Sequence, residues 1–215
     1  PNGDINTSVV RNGTYFDHTG GRNPNHRRWL PLIGYQPHRE LSVARDRRVH
    51  GLPPRPVAPL IDDLGSGQGS VGRESILFEA VIGTSADQTA IAPGTLRRTW
   101  TENGRRYFHY ATEQPVKNAY AVLSADYAVH RETWTPRAGQ PVGVEIFHHP
   151  KHTFNVPRFA RSVRTSLDYL STNFGPYPYK EIRIAEFPRY ASLAHAYPGT
   201  ISYAETFGWL TNVDE

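Results

Sequence analysis

Between Arg158 and Glu205 the apolar residues change their period, and that change limits what this part of the chain can build. Phe159, Val163, Leu167, Leu170 and Phe174 are spaced by four, four, three and four residues, which places them on one face of an α-helix. Pro157 is acceptable in the first helical turn, and Asn155 is a candidate cap. Gly175 follows the last apolar residue as a stop, and Pro176 and Pro178 forbid continuation. Ile182, Ile184 and the Phe187-Pro188 step then predict a short strand, and Thr200–Glu205 predicts a second. None of these residues is chemically reactive by itself; the stretch is a scaffold with a definite order.

That order has a precedent. Leu167-Asp168-Tyr169-Leu170, Asn173-Phe174-Gly175-Pro176-Tyr177-Pro178, Ile182-Arg183-Ile184 and Phe187-Pro188 together resemble the start of the catalytic domain of the zinc aminopeptidase N family, which are gluzincin metallopeptidases. Members continue with a Gly-Ala-Met-Glu-Asn loop, a glycine, and a strand ending in Tyr-x-Glu. Gly199-Thr200-Ile201-Ser202-Tyr203-Ala204-Glu205 is similar to the last part of that pattern. The wording Glu186-Phe187-Pro188-Arg189-Tyr190, followed by Ala196-Tyr197-Pro198-Gly199-Thr200-Ile201, most resembles the variant fused to bacterial ABC-type transporter permeases. The resemblance is good over roughly the last quarter of the chain and looser before it.

The resemblance implies a peptide cleft lined by the loop residues Ala194, His195, Ala196, Tyr197 and Gly199, with the strand near Tyr203 binding the substrate backbone by edge hydrogen bonds. Tyr190, Tyr197 and Tyr203 would form an aromatic wall for a peptide side chain or else pack the loop. His195 would face the substrate backbone or stand in water, and Glu205 would line the cleft or serve a structural ion pair, the second being favoured. Gln36, after the apolar segment Trp29–Tyr35, is the candidate for a polar side chain that the family places in the cleft.

Two departures alter the chemistry. The family's glutamate that grips the substrate α-amine aligns with Ala196, whose small apolar side chain cannot pair with an ammonium group. No H-E-x-x-H occurs anywhere in the 215 residues. No catalytic or metal-ligating residue is therefore assigned within the chain, and zinc is expected only in a longer parent. By itself the piece should neither hold catalytic zinc nor hydrolyse peptides.

The residues before this stretch predict β structure. Val9–Phe16 contains Asn12-Gly13 between apolar pairs, a hairpin signal, and Glu102-Asn103-Gly104 repeats it between Arg97–Trp100 and Arg106–Tyr110. Ile76–Ile82, Tyr120–Leu123, Tyr127–Val129 and Val142–Phe147 predict further strands. Residues 51–72 are rich in proline, glycine and serine and predict a loop. Gly67-Gln68-Gly69-Ser70-Val71-Gly72 satisfies G-x-G-x-x-G, but no strand precedes it and no helix follows, so the flexible-loop reading is preferred to a dinucleotide site. The expected fold is mainly β: an antiparallel sandwich, incomplete at its start, over residues 1–155, then a small α+β segment over 156–215 that begins a thermolysin-like domain.

Composition agrees with a folded, aromatic-rich β protein, with 38% hydrophobic and 12% aromatic residues. Zero cysteines exclude disulfides, thiolate metal sites and covalent cysteine chemistry. No apolar run is long enough to span a bilayer. Pro1, the absence of methionine and the unclosed ending Asn212-Val213-Asp214-Glu215 predict a trimmed piece of a longer protein. That parent is expected to be membrane-anchored with this part extracytoplasmic. Its partners would be a peptide substrate, the remainder of the catalytic domain and a fused transporter membrane domain. The net charge of +4 comes mostly from scattered arginine pairs such as Arg27-Arg28 and Arg105-Arg106, which lack the density of a phosphate-binding stripe, so no nucleic-acid partner is expected. His148-His149-Pro150-Lys151-His152 is the one histidine cluster; Pro150 and the lack of a nearby carboxylate favour a surface accident over a metal site. The alternative function is a non-catalytic extracytoplasmic β-sandwich binding module of a transporter-associated protein.

Overall fold

The computed structural model of the chain describes residues 14–18, 41–55, 75–137, 139–188 and 194–209. Their elements run β1 (Thr14–His18), α1 (Ala44–Val49), β2 (Ser75–Ile76), β3 (Glu79–Ser85), β4 (Thr89–Ile91), β5 (Thr95–Glu102), β6 (Arg105–Ala111) and β7 (Val116–Lys117). They continue with β8 (Tyr120–Ala125), β9 (Ala128–Trp134), β10 (Val142–His148), α2 (Val156–Phe174), β11 (Glu181–Phe187), β12 (Ala194–Tyr197), β13 (Thr200–Ala204) and α3 (Glu205–Trp209). The fold is mainly β, as expected. Among the described residues no helix is long and apolar enough to cross a membrane. The first strand of the predicted Val9–Phe16 hairpin, the segment Trp29–Tyr35 with Gln36, the Gly67–Gly72 run and Tyr190 lie outside the described residues.

Three small antiparallel sheets, β3-β6-β5, β1-β8-β4 and β2-β7, precede a five-stranded sheet of order β12-β13-β11-β10-β9. In that larger sheet β10, β11 and β13 run parallel, while β9 and β12 pair antiparallel at the two edges. It is thus a mixed sheet, and it draws strands from both sides of residue 155. The connection from β10 to β11 contains α2, because parallel neighbours need a crossover rather than a hairpin.

Local chemistry explains most of these boundaries. Asn103 and Gly104 both take positive φ, 50° and 72°, so the two-residue loop twists in the sense that β5 and β6 require. The strand expected over Ile76–Ile82 is two strands. At Phe78 the backbone exchanges partners: its N–H donates to Thr112 Oγ1 at 2.9 Å and its carbonyl accepts the Thr112 N–H at 2.9 Å. The Phe78 ring meanwhile packs edge-on against Tyr120, with centroids 4.9 Å apart. β2 therefore pairs with β7 and β3 with β6. α1 is absent from the sequence expectations; its buried Arg47 closes the turn beside it by donating to the carbonyls of Leu41 and Pro53.

The mixed sheet is covered on both faces. Val156, Ala160, Val163 and Leu167 of α2 pack on Trp134, Val142, Val144, Ile146, Ile184 and Tyr203. On the other face Phe147, Ala185, Phe187, Tyr197 and Ala204 meet Ile91, Ala121 and Leu123 of β4 and β8. The expected apolar face of the helix is only partly buried, since Leu170 and Phe174 stay 50% and 77% exposed. A helix of 19 residues is about 28 Å long. A strand of 7 residues spans only about 23 Å, so the last turn of α2 overruns the sheet. Asn155 precedes the helix but makes no side-chain cap bond.

One polar contact pins this packing. Trp134 donates its Nε1–H to Asp168 at 2.8 Å, tying the end of β9 to α2. Trp134→Phe should lower stability by about 1–2 kcal/mol, as expected for a bond to a carboxylate plus some lost ring contact. Chemical denaturation checks this; an unchanged midpoint would mean that the bond contributes nothing net.

Candidate functional site

Among the described residues β12 forms the outer edge of the mixed sheet, paired antiparallel to β13 with Ala194 opposite Tyr203 and Tyr197 opposite Thr200. β13, the strand expected to offer its edge to a peptide, is interior because β12 and β11 take up both its sides. The pleat alternates its side chains. Ala194 and Ala196 are exposed, His195 is half-buried and Tyr197 is buried. The rings of His195 and Tyr197 stack at 4.5 Å and 18°, so His195 does not stand alone in water. Pro198-Gly199 makes the turn into β13.

The tyrosines do not form one wall. Tyr197 enters the core beside Phe147 and Phe187, whereas Tyr203 points to the opposite face and packs against Phe159 of α2 at 5.0 Å. Their positions on two paired strands fix this, because residues of odd and even register face opposite ways. Glu205 does not end a strand. It opens α3, is only 1% exposed, and so takes an interior place rather than an open cleft position.

The sheet also builds a site that the sequence pattern does not announce. Glu186, at the end of β11, is fully buried at 0% exposure. Its Oε1 accepts a bond from His152 Nδ1 at 2.6 Å, and its Oε2 accepts the backbone N–H of His149 at 2.9 Å. The Tyr203 hydroxyl lies 3.5 Å from Oε2, and Tyr127 donates its hydroxyl to the Glu186 carbonyl at 2.7 Å. Burial, reinforced by the Glu186 charge, holds the Tyr203 hydroxyl well above the usual phenol range, so it stays protonated. The histidine cluster is therefore not a surface accident: a carboxylate distant in sequence anchors it. The available signal was Glu186 itself, which shares the inward register of Ile182 and Ile184. A carboxylate at such a position needs donors.

On the opposite face Arg183, also buried, donates to Glu145 Oε2 at 3.2 Å and to the Gly94 carbonyl at 2.9 Å. Arg131 takes the other oxygen of Glu145 at 3.0 Å. Among the described residues no three His, Asp or Glu side chains converge as a metal site.

No family model and no curated protein matches the chain. Solved structures do. A two-domain M1 zinc metallopeptidase mutant bound to L-tryptophan aligns with a TM-score of 0.51 and 20% identity, over 62% of this chain and 31% of that one. Legionella pneumophila aminopeptidase A in complex with aspartic acid aligns with a TM-score of 0.56 and 14% identity, over 61% of this chain and 16% of that one. The chain thus spans less than a third of either structure, and at these identities the likeness is one of fold. Over those 61–62% of its residues the chain shares the fold of a part of these peptidase structures, M1 zinc metallopeptidase among them.

Proposed function

We propose that the chain supplies the β domain and the first catalytic-domain elements of a zinc aminopeptidase-like metallopeptidase, with the outer edge of β12 as one wall of its peptide cleft. The observation that carries this reading is β12 itself. It is an edge strand in a fold shared with peptidases, and its Ala194 and Ala196 leave the edge uncrowded. An extended peptide can add to such an edge through main-chain hydrogen bonds. No H-E-x-x-H occurs in the sequence and the described side chains gather no metal site, so no catalytic step is assigned to this chain.

A groove of about 620 Å³ along α2, lined by Phe159, Leu170, Phe174, Ile182 and Ile201 among others, supports a place for the remainder of the catalytic domain. The transporter-permease wording of Glu186–Ile201 supports an extracytoplasmic position in a membrane-anchored parent. With alanine at position 196 the edge should not select for a free α-amine.

The test is NMR titration of the chain with one tripeptide in free and N-acetylated forms. Both should shift the amides of Ala194–Tyr197 with similar affinity. Ala196→Glu should strengthen binding of the free form alone by roughly two- to fivefold, the yield of about 0.5–1 kcal/mol from a new solvent-exposed ion pair. Shifts confined to other elements would overturn the assignment.

A further inference from the structure

We propose that His149 is an acid-operated latch, whose protonation releases the turn between β10 and α2 from the end of β11. The geometry leaves no room for a second proton on this imidazole. Lys151 donates its backbone N–H to His149 Nδ1 at 3.1 Å. A backbone N–H can only donate, so Nδ1 must carry a lone pair, and the neutral ring holds its proton on Nε2. The side chain thereby closes a small turn in the way an asparagine oxygen does. The same residue's carbonyl accepts the backbone N–H of His152 at 2.9 Å and His148 Nδ1 at 2.8 Å. Its own N–H donates to Glu186 at 2.9 Å. His149 thus holds the turn together through three separate atoms.

Protonation would put a second hydrogen on Nδ1, facing the Lys151 N–H. The turn would lose that bond and set two donors against each other. The new charge would also fall beside the His152 ring, whose centroid is 4.8 Å away and whose Nδ1 already donates to Glu186. The charged and titratable groups around His149 are His148 at the end of β10, Lys151 and His152 in the turn, Glu186 on β11, Tyr203 on β13, and Asp126 and Tyr127 between β8 and β9. Burial first, then the His152 charge, pull His149 below the usual imidazole range, with Lys151 adding to this and Glu186 and Asp126 opposing it. The sign follows. The unfolded chain takes up this proton near the ordinary pH of about 6.5, and the folded chain only below that, so acidification through this window favours opening.

β11 leads toward β12, so release of its end would loosen the proposed cleft wall. The latch itself does not depend on the peptide reading; failure of β12 to bind peptide would leave it standing.

The experiment is hydrogen exchange on the whole chain between about pH 7.5 and about pH 4.5, corrected for intrinsic rates, together with nitrogen NMR of the imidazoles. The amides of His149, Lys151 and His152 should lose roughly tenfold or more of their protection as the His149 ring changes from its Nε2–H tautomer to the imidazolium. His149→Asn should keep the turn, because its amide oxygen accepts the same bond and does not titrate, and its protection should stay flat with pH. Unchanged protection in the original chain, loss out of step with the ring titration, or equal loss in His149→Asn would each overturn the proposal.

Discussion

Replacing Glu186 by alanine should cost the fold about 3–5 kcal/mol, from the hydrogen bonds lost at a buried carboxylate together with the cavity left behind. The carboxylate is fully enclosed and receives His152 Nδ1 and the His149 N–H, with the Tyr203 hydroxyl near by. Its removal leaves those donors without their carboxylate partner and opens a cavity where β11, β13 and the turn before α2 meet. Chemical denaturation gives the magnitude. The companion His152→Ala should cost less, because His149 N–H still satisfies one oxygen of Glu186. A double-mutant cycle should then return a coupling of about 1–3 kcal/mol. A cost for Glu186→Ala below about 1 kcal/mol would show that the carboxylate is not a structural pin.

The fold was legible wherever a local rule and the tertiary structure agree. The Asn103-Gly104 turn, α2 and the strands on either side of it follow from turn chemistry and period alone. What was not legible depends on pairing between distant residues. Nothing near Phe78 in sequence says that Thr112 will take over its backbone bonds and split the strand. Nothing near residue 155 says that β10 lies beside β11, which places the expected boundary within the crossover of one sheet. The candidate site divides in the same way. The residues of its edge could be found through a family pattern, but that pattern gives them as a loop and assigns the edge to the strand near Tyr203. The opposed directions of Tyr197 and Tyr203 needed the register of β12 on β13. The Glu186 pin needed the neighbourhood of β10 and β11, because His149 and His152 are 37 and 34 residues from their carboxylate.

Gly94→Ala should be the most damaging single-methyl change on the other side of the mixed sheet, costing about 2–6 kcal/mol from backbone strain and overpacking combined. Gly94 has φ of +85°, and a Cβ there would lie 2.4 Å from the carbonyl carbon and oxygen of Ala111 and 2.6 Å from the Thr112 nitrogen. These are backbone atoms of β6 and the residue after it, so no side chain can swing aside to make room. The displacement would also move the Gly94 carbonyl away from Arg183. That guanidinium links the small sheets to the mixed sheet: it bonds Glu145, and it lies 5.3 Å from the centre of the Tyr110 ring. Tyr110 in turn donates to the Ala90 carbonyl at 2.9 Å, and burial raises its hydroxyl to about 12, so the donor persists at any ordinary pH. Two causes can be separated. Asparagine tolerates positive φ better than alanine. If strain at φ dominates, Gly94→Asn should recover more than about 1 kcal/mol relative to Gly94→Ala. If the overlap with Ala111 dominates, both variants should melt alike. The 2.4 Å approach favours the second outcome. Equal stability of the glycine and alanine forms would mean that the turn before β5 yields easily, and that Arg183 rather than Gly94 holds the two sheets in register.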